Sequence, residues 1–139
     1  MKASRFLGNK TFAVTDLPTP HAGPGELVLR NQVCGVCGTD VHIYHGEPGS
    51  ADVNPPVVLG HEFSGDVVEV GEGVTSVQVG DTVSGAPLLP CMKCDDCQQG
   101  NFSLCKHYSF IGSRQQGSFA EYVVMPAQNA IQYDPSIPY

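Results

Sequence analysis

Apolar and polar positions alternate along this chain only over short stretches, and glycine or proline interrupts nearly every one of them. Residues 11–17 and 27–33 are rich in β-branched and apolar side chains and predict two strands. The run from Phe63 to Val70 alternates roughly and predicts a third. Residues 81–86, 119–125 and 129–132 predict three more. Between them, Pro18, Pro20 and Pro24 mark an irregular loop, residues 45–56 another, and Gly71-Glu72-Gly73 and Gly80-Asp81 mark turns. Only Val41-His42-Ile43-Tyr44 suggests a helix, a short one, with Thr39 or Asp40 as its cap. Many short strands with such punctuation predict an all-β barrel or sandwich.

Composition supports that picture. The chain has 139 residues, 41% of them apolar, which suits one folded domain with a core of its own. Sixteen glycines, eleven prolines and no tryptophan favour turns and short strands over long helices. A net charge of −7 argues against nucleic acid and anionic membrane as partners. The opening residues, Met1 to Phe6 followed by Gly8-Asn9-Lys10, hold no apolar signal-peptide core, and no stretch is long enough to span a bilayer. Six cysteines in such a chain predict a reduced, cytosolic protein with metal-binding thiolates.

Four of those cysteines lie at Cys91, Cys94, Cys97 and Cys105. Two-residue gaps turn successive thiolates back onto one ion, and the seven-residue return supplies a fourth corner. A closed four-thiolate shell leaves no open position and predicts a structural zinc, with an iron–sulfur cluster as the rival. Disulfides fit the expected compartment poorly. A second group is Gly60-His61-Glu62-Phe63-Ser64-Gly65, taken with Cys37. Imidazole, carboxylate and thiolate together suit Zn²⁺, which accepts all three donor types. A bare His-Glu pair reads more simply as a core histidine beside a surface glutamate. Cys34 and Cys37 form a C-x-x-C pair, yet a redox dithiol calls for a βαβ context that this pattern lacks.

In order along the chain come Gly35-Val36-Cys37-Gly38-Thr39-Asp40 with His42, the Gly60-His61-Glu62 stretch with Gly65, the four-cysteine lobe, and Gly117 with Phe119-Ala120-Glu121-Tyr122. From about residue 25 onward this set resembles the catalytic domain of the zinc-containing medium-chain dehydrogenases. Residues 87–91 and 111–114 look most like the polyol-phosphate branch, and residues 37–44 like the threonine dehydrogenase branch, with sorbitol dehydrogenases close to both. The resemblance implies a GroES-like, partly open β-barrel with a zinc-binding lobe. It implies Cys37, His61 and Glu62 as ligands of a catalytic zinc, and Asp40 as the carboxylate that orients the ligand histidine. Thr39 and His42 resemble a proton relay, with a capping threonine and a surface histidine as the simpler alternatives. The implied chemistry is alcohol oxidation: zinc polarises the substrate oxygen, the relay carries the proton away, and NAD or NADP accepts the hydride. The implied partner is a small alcohol or polyol, and the full enzyme is expected to be a homo-oligomer.

Cys34 matches no ligand position and reads as a small buried side chain. Arg114 reads as a surface arginine, with a phosphate contact as the less favoured use of its planar fork. The family pairs this domain with a Rossmann domain, yet residues 1–139 hold no G-x-G-x-x-G fingerprint. The expectation is therefore a truncated catalytic domain, inactive alone, with its catalytic zinc weakly held. A free-standing zinc module used in assembly is the alternative.

Overall fold

The computed structural model describes residues 1–48 and 51–139. Its strands are β1 (Lys2–Gly8), β2 (Thr11–Asp16), β3 (Glu26–Gly35), β4 (Val57–Val58), β5 (Glu62–Val70), β6 (Thr82–Gly85), β7 (Leu88–Leu89), β8 (Ser109–Phe110), β9 (Tyr122–Pro126) and β10 (Ala130–Gln132). Two short helices, α1 (Gly38–His45) and α2 (Asp95–Gln98), join them. The strands form a three-stranded sheet in the order β2-β1-β4, a five-stranded sheet in the order β10-β6-β5-β3-β9, and the pair β7-β8. All the strand pairings are antiparallel.

The β1–β2 hairpin turns through Asn9 and Lys10, both at positive φ (49° and 57°). That conformation matches the right-handed twist of the flanking strands. β1 itself is an addition to the strands expected from the pattern. Its buried residues are Ala3 and Phe6, three apart, so it shows no two-residue alternation. A register shift lies between Phe6 and Gly8. The strand expected at 119–125 begins only at Tyr122, because Phe119 to Glu121 instead reach across to the first sheet. Ser4 N–H donates to Phe119 O at 2.7 Å, and Ala3 bridges Ala120. Asn31 reinforces the junction, its Nδ2 donating to Ser118 O and Ala120 O.

Two apolar clusters hold the sheets. The larger gathers Leu27, Leu29, Phe63, Val67, Val83, Ile111, Val123 and Met125 from the five-stranded sheet and the lobe. The smaller packs Phe6, Ile43, Val57 and Leu59 beneath α1. Full burial of a side chain such as Leu27 or Leu29 contributes about 1.5–3 kcal/mol. The two clusters lie on either side of Gly60-His61-Glu62, so both cores fix the backbone at that point.

Candidate functional site

The first donor set is assembled where β3 ends and α1 begins. Cys37 is the N-cap of α1; its Sγ accepts the Thr39 N–H at 3.3 Å, and Asp40 Oδ2 accepts the Cys37 N–H at 3.0 Å. The cap is thus Cys37, not Thr39 or Asp40 as the sequence suggested. A sulfur takes the place of the usual oxygen and so has its position fixed by the helix itself. His61 enters from the other side, one residue before β5, and its Nε2 lies 3.0 Å from Cys37 Sγ. Glu62 follows at an exposed position, and one ligand atom from each of Cys37, His61 and Glu62 falls within 4.8 Å of the others. Gly35 gives the carboxylate room: a Cβ there would meet Glu62 Oε2 at 2.8 Å.

Asp40 is 4% exposed, and its Oδ1 has no hydrogen-bond partner. His61 Nδ1 lies 3.8 Å from it. A buried, unpaired carboxylate oxygen is costly unless a cation balances it. With the Nδ1 proton toward Asp40, the Nε2 lone pair faces Cys37 Sγ. Soft and borderline donors then converge on one point, which fits a divalent metal such as zinc. Phe110 packs its ring on His61, 5.5 Å between centroids, and shields one side of the imidazole.

Thr39 and His61 line a cavity of about 420 Å³ together with Ala51, Leu88, Ser103, Tyr108, Phe110, Ser113 and Arg114. His42 lies outside that lining on the exposed surface of α1, where Nδ1 meets the Glu47 carboxylate. The structure therefore brings Cys37, Thr39, Asp40, His61 and Glu62 together and sets His42 at the solvent boundary. Cys34 is half-buried rather than buried; its Sγ lies 3.0 Å from Ser118 Oγ, and burial raises its thiol pKa.

The second donor set lies in the lobe. One sulfur from each of Cys91, Cys94, Cys97 and Cys105 falls within 4.8 Å of the other three. The Cys91–Cys97 and Cys94–Cys105 sulfur separations are both 4.0 Å. All six cysteines are free thiols, and a disulfide would need sulfurs about 2.05 Å apart. Four sulfurs about 2.3 Å from one zinc ion would lie about 3.8 Å from each other, so the observed spacing suits a single tetrahedral ion. A polynuclear cluster would spread them further. Backbone N–H groups of Lys93 and then Cys94 lower the Cys91 thiol to about 6, while burial pushes Cys97 up to about 12. Four adjacent thiols resist joint ionisation, and a dication removes that conflict.

Phe110, Ser103, Tyr108 and Ser113 were not picked out from the sequence as lining residues. They come from the lobe and its return, more than forty positions from His61. The available signal was glycine. A Cβ on Gly112 would lie 2.2 Å from Gly60 O, and one on Gly117 would lie 2.4 Å from the same oxygen. Only glycine lets the 111–117 turn approach the His61 backbone this closely.

A small β domain that carries a four-cysteine lobe and a separate Cys-His-Glu set beside a cavity is defined by two candidate metal sites. Residues 23–135 match the family described as the alcohol dehydrogenase GroES-like domain, and the chain belongs to that family. It is 43% identical over 127 residues to an L-threonine 3-dehydrogenase of Francisella tularensis subsp. tularensis, covering 91% of this chain and 36% of that protein. Galactitol-1-phosphate dehydrogenase from Escherichia coli superposes with a TM-score of 0.92 at 36% identity, over 99% of this chain and 39% of the other. A dehydrogenase of the zinc-binding type from Sinorhizobium meliloti 1021, solved bound to NADP, gives 0.91 at 38% identity, again over 99% and 39%. The chain thus spans about two fifths of these relatives' lengths. The GroES-like barrel expected from the motifs is the observed fold. No helix among the described residues is long and apolar enough to cross a membrane.

Proposed function

We propose that this chain is the catalytic domain of a zinc-dependent NAD(P) dehydrogenase that oxidises a polyol, polyol phosphate or related secondary alcohol. The observation that carries this reading is the convergence of Cys37, His61 and Glu62 beside a cavity, with the buried Asp40 carboxylate behind His61. Cys37, His61 and Glu62 would hold the catalytic zinc, and Cys91, Cys94, Cys97 and Cys105 the structural one. When bound, zinc supplies Lewis acidity toward the substrate oxygen, and NAD or NADP supplies the hydride acceptor. The nicotinamide site belongs to the Rossmann domain that a full-length protein would add.

The chain's own residues supply positioning and proton transfer. Asp40 accepts the Cys37 N–H through Oδ2 and would orient the His61 ring through Oδ1, 3.8 Å from Nδ1. The Thr39 N–H stabilises the Cys37 thiolate, and its side chain lines the cavity where a substrate hydroxyl would sit. Phe110 keeps water off one side of the imidazole. The relay role rests on the motif resemblance: His42, exposed and paired with Glu47, would receive the proton from Thr39 through solvent and release it. A free-standing assembly module would need only the closed four-thiolate lobe; the Cys-His-Glu set and its cavity would have no use there. The same reading places the enzyme in the cytoplasm, where six free thiols persist, and in a homo-oligomer whose mass in solution is its test.

The experiment is turnover of a panel of polyols, polyol phosphates and simple secondary alcohols by the full-length protein, with Cys37→Ser and His42→Ala beside the wild type. Cys37→Ser should lose about a thousandfold or more, since a Lewis acid contributes several kcal/mol. His42→Ala should lose less, and its rate should recover as pH rises and bulk solvent takes the proton more readily. Turnover that persists in Cys37→Ser, or a His42→Ala defect independent of pH, would overturn the mechanism.

A further inference from the structure

We infer that Arg114 is the anion-recognition residue of the substrate cavity, and that the substrate is a secondary alcohol bearing a phosphate or carboxylate group; this rests on the dehydrogenase reading above. The cavity that holds His61 and Thr39 is lined among the described residues by no aspartate or glutamate. Arg114 is its one permanently charged lining group, in a chain whose net charge is −7. Among the described residues no carboxylate pairs with Arg114, so its charge is available to an anionic ligand.

The guanidinium is also held in place. It lies over the Tyr108 ring, 4.2 Å from the centroid, and its Nη1 donates to Tyr108 O at 3.0 Å. Those contacts fix one edge of the fork, and its other donors, without a partner among the described residues, suit a planar or tetrahedral oxyanion. The hydroxyl-bearing Ser103, Ser113 and Tyr108 share the lining and add neutral donors.

The backbone ties this arginine to the metal ligands. Arg114 N–H and Gln115 N–H both donate to Phe110 O, and Phe110 carries the ring that packs on His61. Gly112 and Gly117, on either side of Arg114, press on Gly60, the residue before His61. Arg114 and His61 are therefore carried by segments in backbone contact, and their relative placement is set before substrate arrives. A substrate spanning the two would be held at its anionic end by Arg114 while its hydroxyl is presented beside His61 and Thr39. Such positioning raises selectivity for the charged compound over its neutral analogue.

The test uses the zinc-loaded full-length protein and three matched series: neutral secondary alcohols or polyols, their phosphate esters, and hydroxy acids of similar length. A charge-assisted contact of this kind corresponds to about 10–100-fold in kcat/KM. Arg114→Gln should lose that factor on one charged series, mainly through KM, while neutral compounds change far less; Arg114→Lys should restore part of it. The series that suffers tells phosphate from carboxylate. Equal losses on all three series, or a wild type that prefers the neutral compounds, would overturn the inference. Absence of turnover on every series would count against the dehydrogenase reading instead. In that case titration with inorganic phosphate decides the anion site: binding lost in Arg114→Gln supports it, and binding unchanged in Arg114→Gln or absent from the wild type refutes it.

Discussion

Asp40→Asn isolates what the buried carboxylate does for the metal site, because the change preserves shape and removes charge. Asp40 serves two partners through two oxygens. Oδ2 accepts the Cys37 N–H at 3.0 Å, and Oδ1 lies 3.8 Å from His61 Nδ1 with nothing else to pair with. The introduced amide has one acceptor. If its oxygen stays on the Cys37 N–H, as the helix cap demands, its NH₂ faces His61 and turns Nδ1 into an acceptor. The imidazole proton then moves to Nε2, the atom 3.0 Å from Cys37 Sγ, and the ligand lone pair is lost. Loss of a carboxylate partner behind a ligand histidine weakens metal binding about 10–100-fold, or about 1.4–2.7 kcal/mol. The fold should change little, since the cap survives. Asp40→Ala, which also removes the bond that the Cys37 N–H makes in the capping box, should cost about 1 kcal/mol more in stability. Competition between the zinc-loaded protein and a chromophoric chelator reads the affinity of the weaker site, and thermal unfolding reads the cap. If Asp40→Asn holds zinc at Cys37 and His61 as tightly as wild type, the carboxylate does not set the imidazole tautomer and the reasoning fails.

Cys94→Ser should release the zinc of the lobe and disorder residues 91–105 while leaving the barrel partly folded; amide hydrogen exchange that stays protected across the lobe would contradict this. Gly112→Ala places a Cβ 2.2 Å from Gly60 O at a φ of +83°, and should cost about 2–3 kcal/mol and loosen metal binding at His61, read by chemical denaturation and zinc content. Asp66 is held below the usual carboxylate range by the Tyr139 hydroxyl first, then by Arg30 and Gln32. A folded pKa below the unfolded one means stability that is complete above pH about 4 and lost as pH falls through the folded value, so Asp66→Asn should flatten the acid limb of an unfolding profile and leave neutral pH behaviour nearly parallel to wild type.

Both donor sets were legible because their signals are local or chemically rare. Four thiols at two- and seven-residue gaps need no knowledge of the fold. Cys37 and His61 stood out through the ordered motifs around them, since a bare His-Glu pair has a simpler reading. What escaped depends on distant contacts. β1 shows no alternation, and its pairing comes from β2, from β4 and from a bridge to Ala120. The helix cap escaped because preference scales put an oxygen at that position, whereas the sulfur of Cys37 does the same work. Phe110 reaches His61 from forty-nine positions away, and only the fold shows that it does. Arg114 reads as an ordinary surface arginine until the cavity places it with Thr39 and His61.

The contact of Gly112 and Gly117 with Gly60 divides the 111–117 turn into positions that natural variation can and cannot use. Its two glycines admit no side chain without displacing the backbone beside His61. Gln116 is tied as well, its Oε1 accepting the Val58 N–H at 2.8 Å. The side chains of Arg114 and Gln115 are exposed and meet no such backbone, Arg114 lying over Tyr108 at the cavity. Drift or directed evolution can therefore rewrite what the cavity accepts by changing the codon for Arg114, with its neighbour at 115 free to follow and the metal ligands left where they are. Libraries built at 114 and 115 alone should yield a high proportion of folded, metal-loaded variants, whereas libraries that include 112 or 117 should mostly yield unfolded ones.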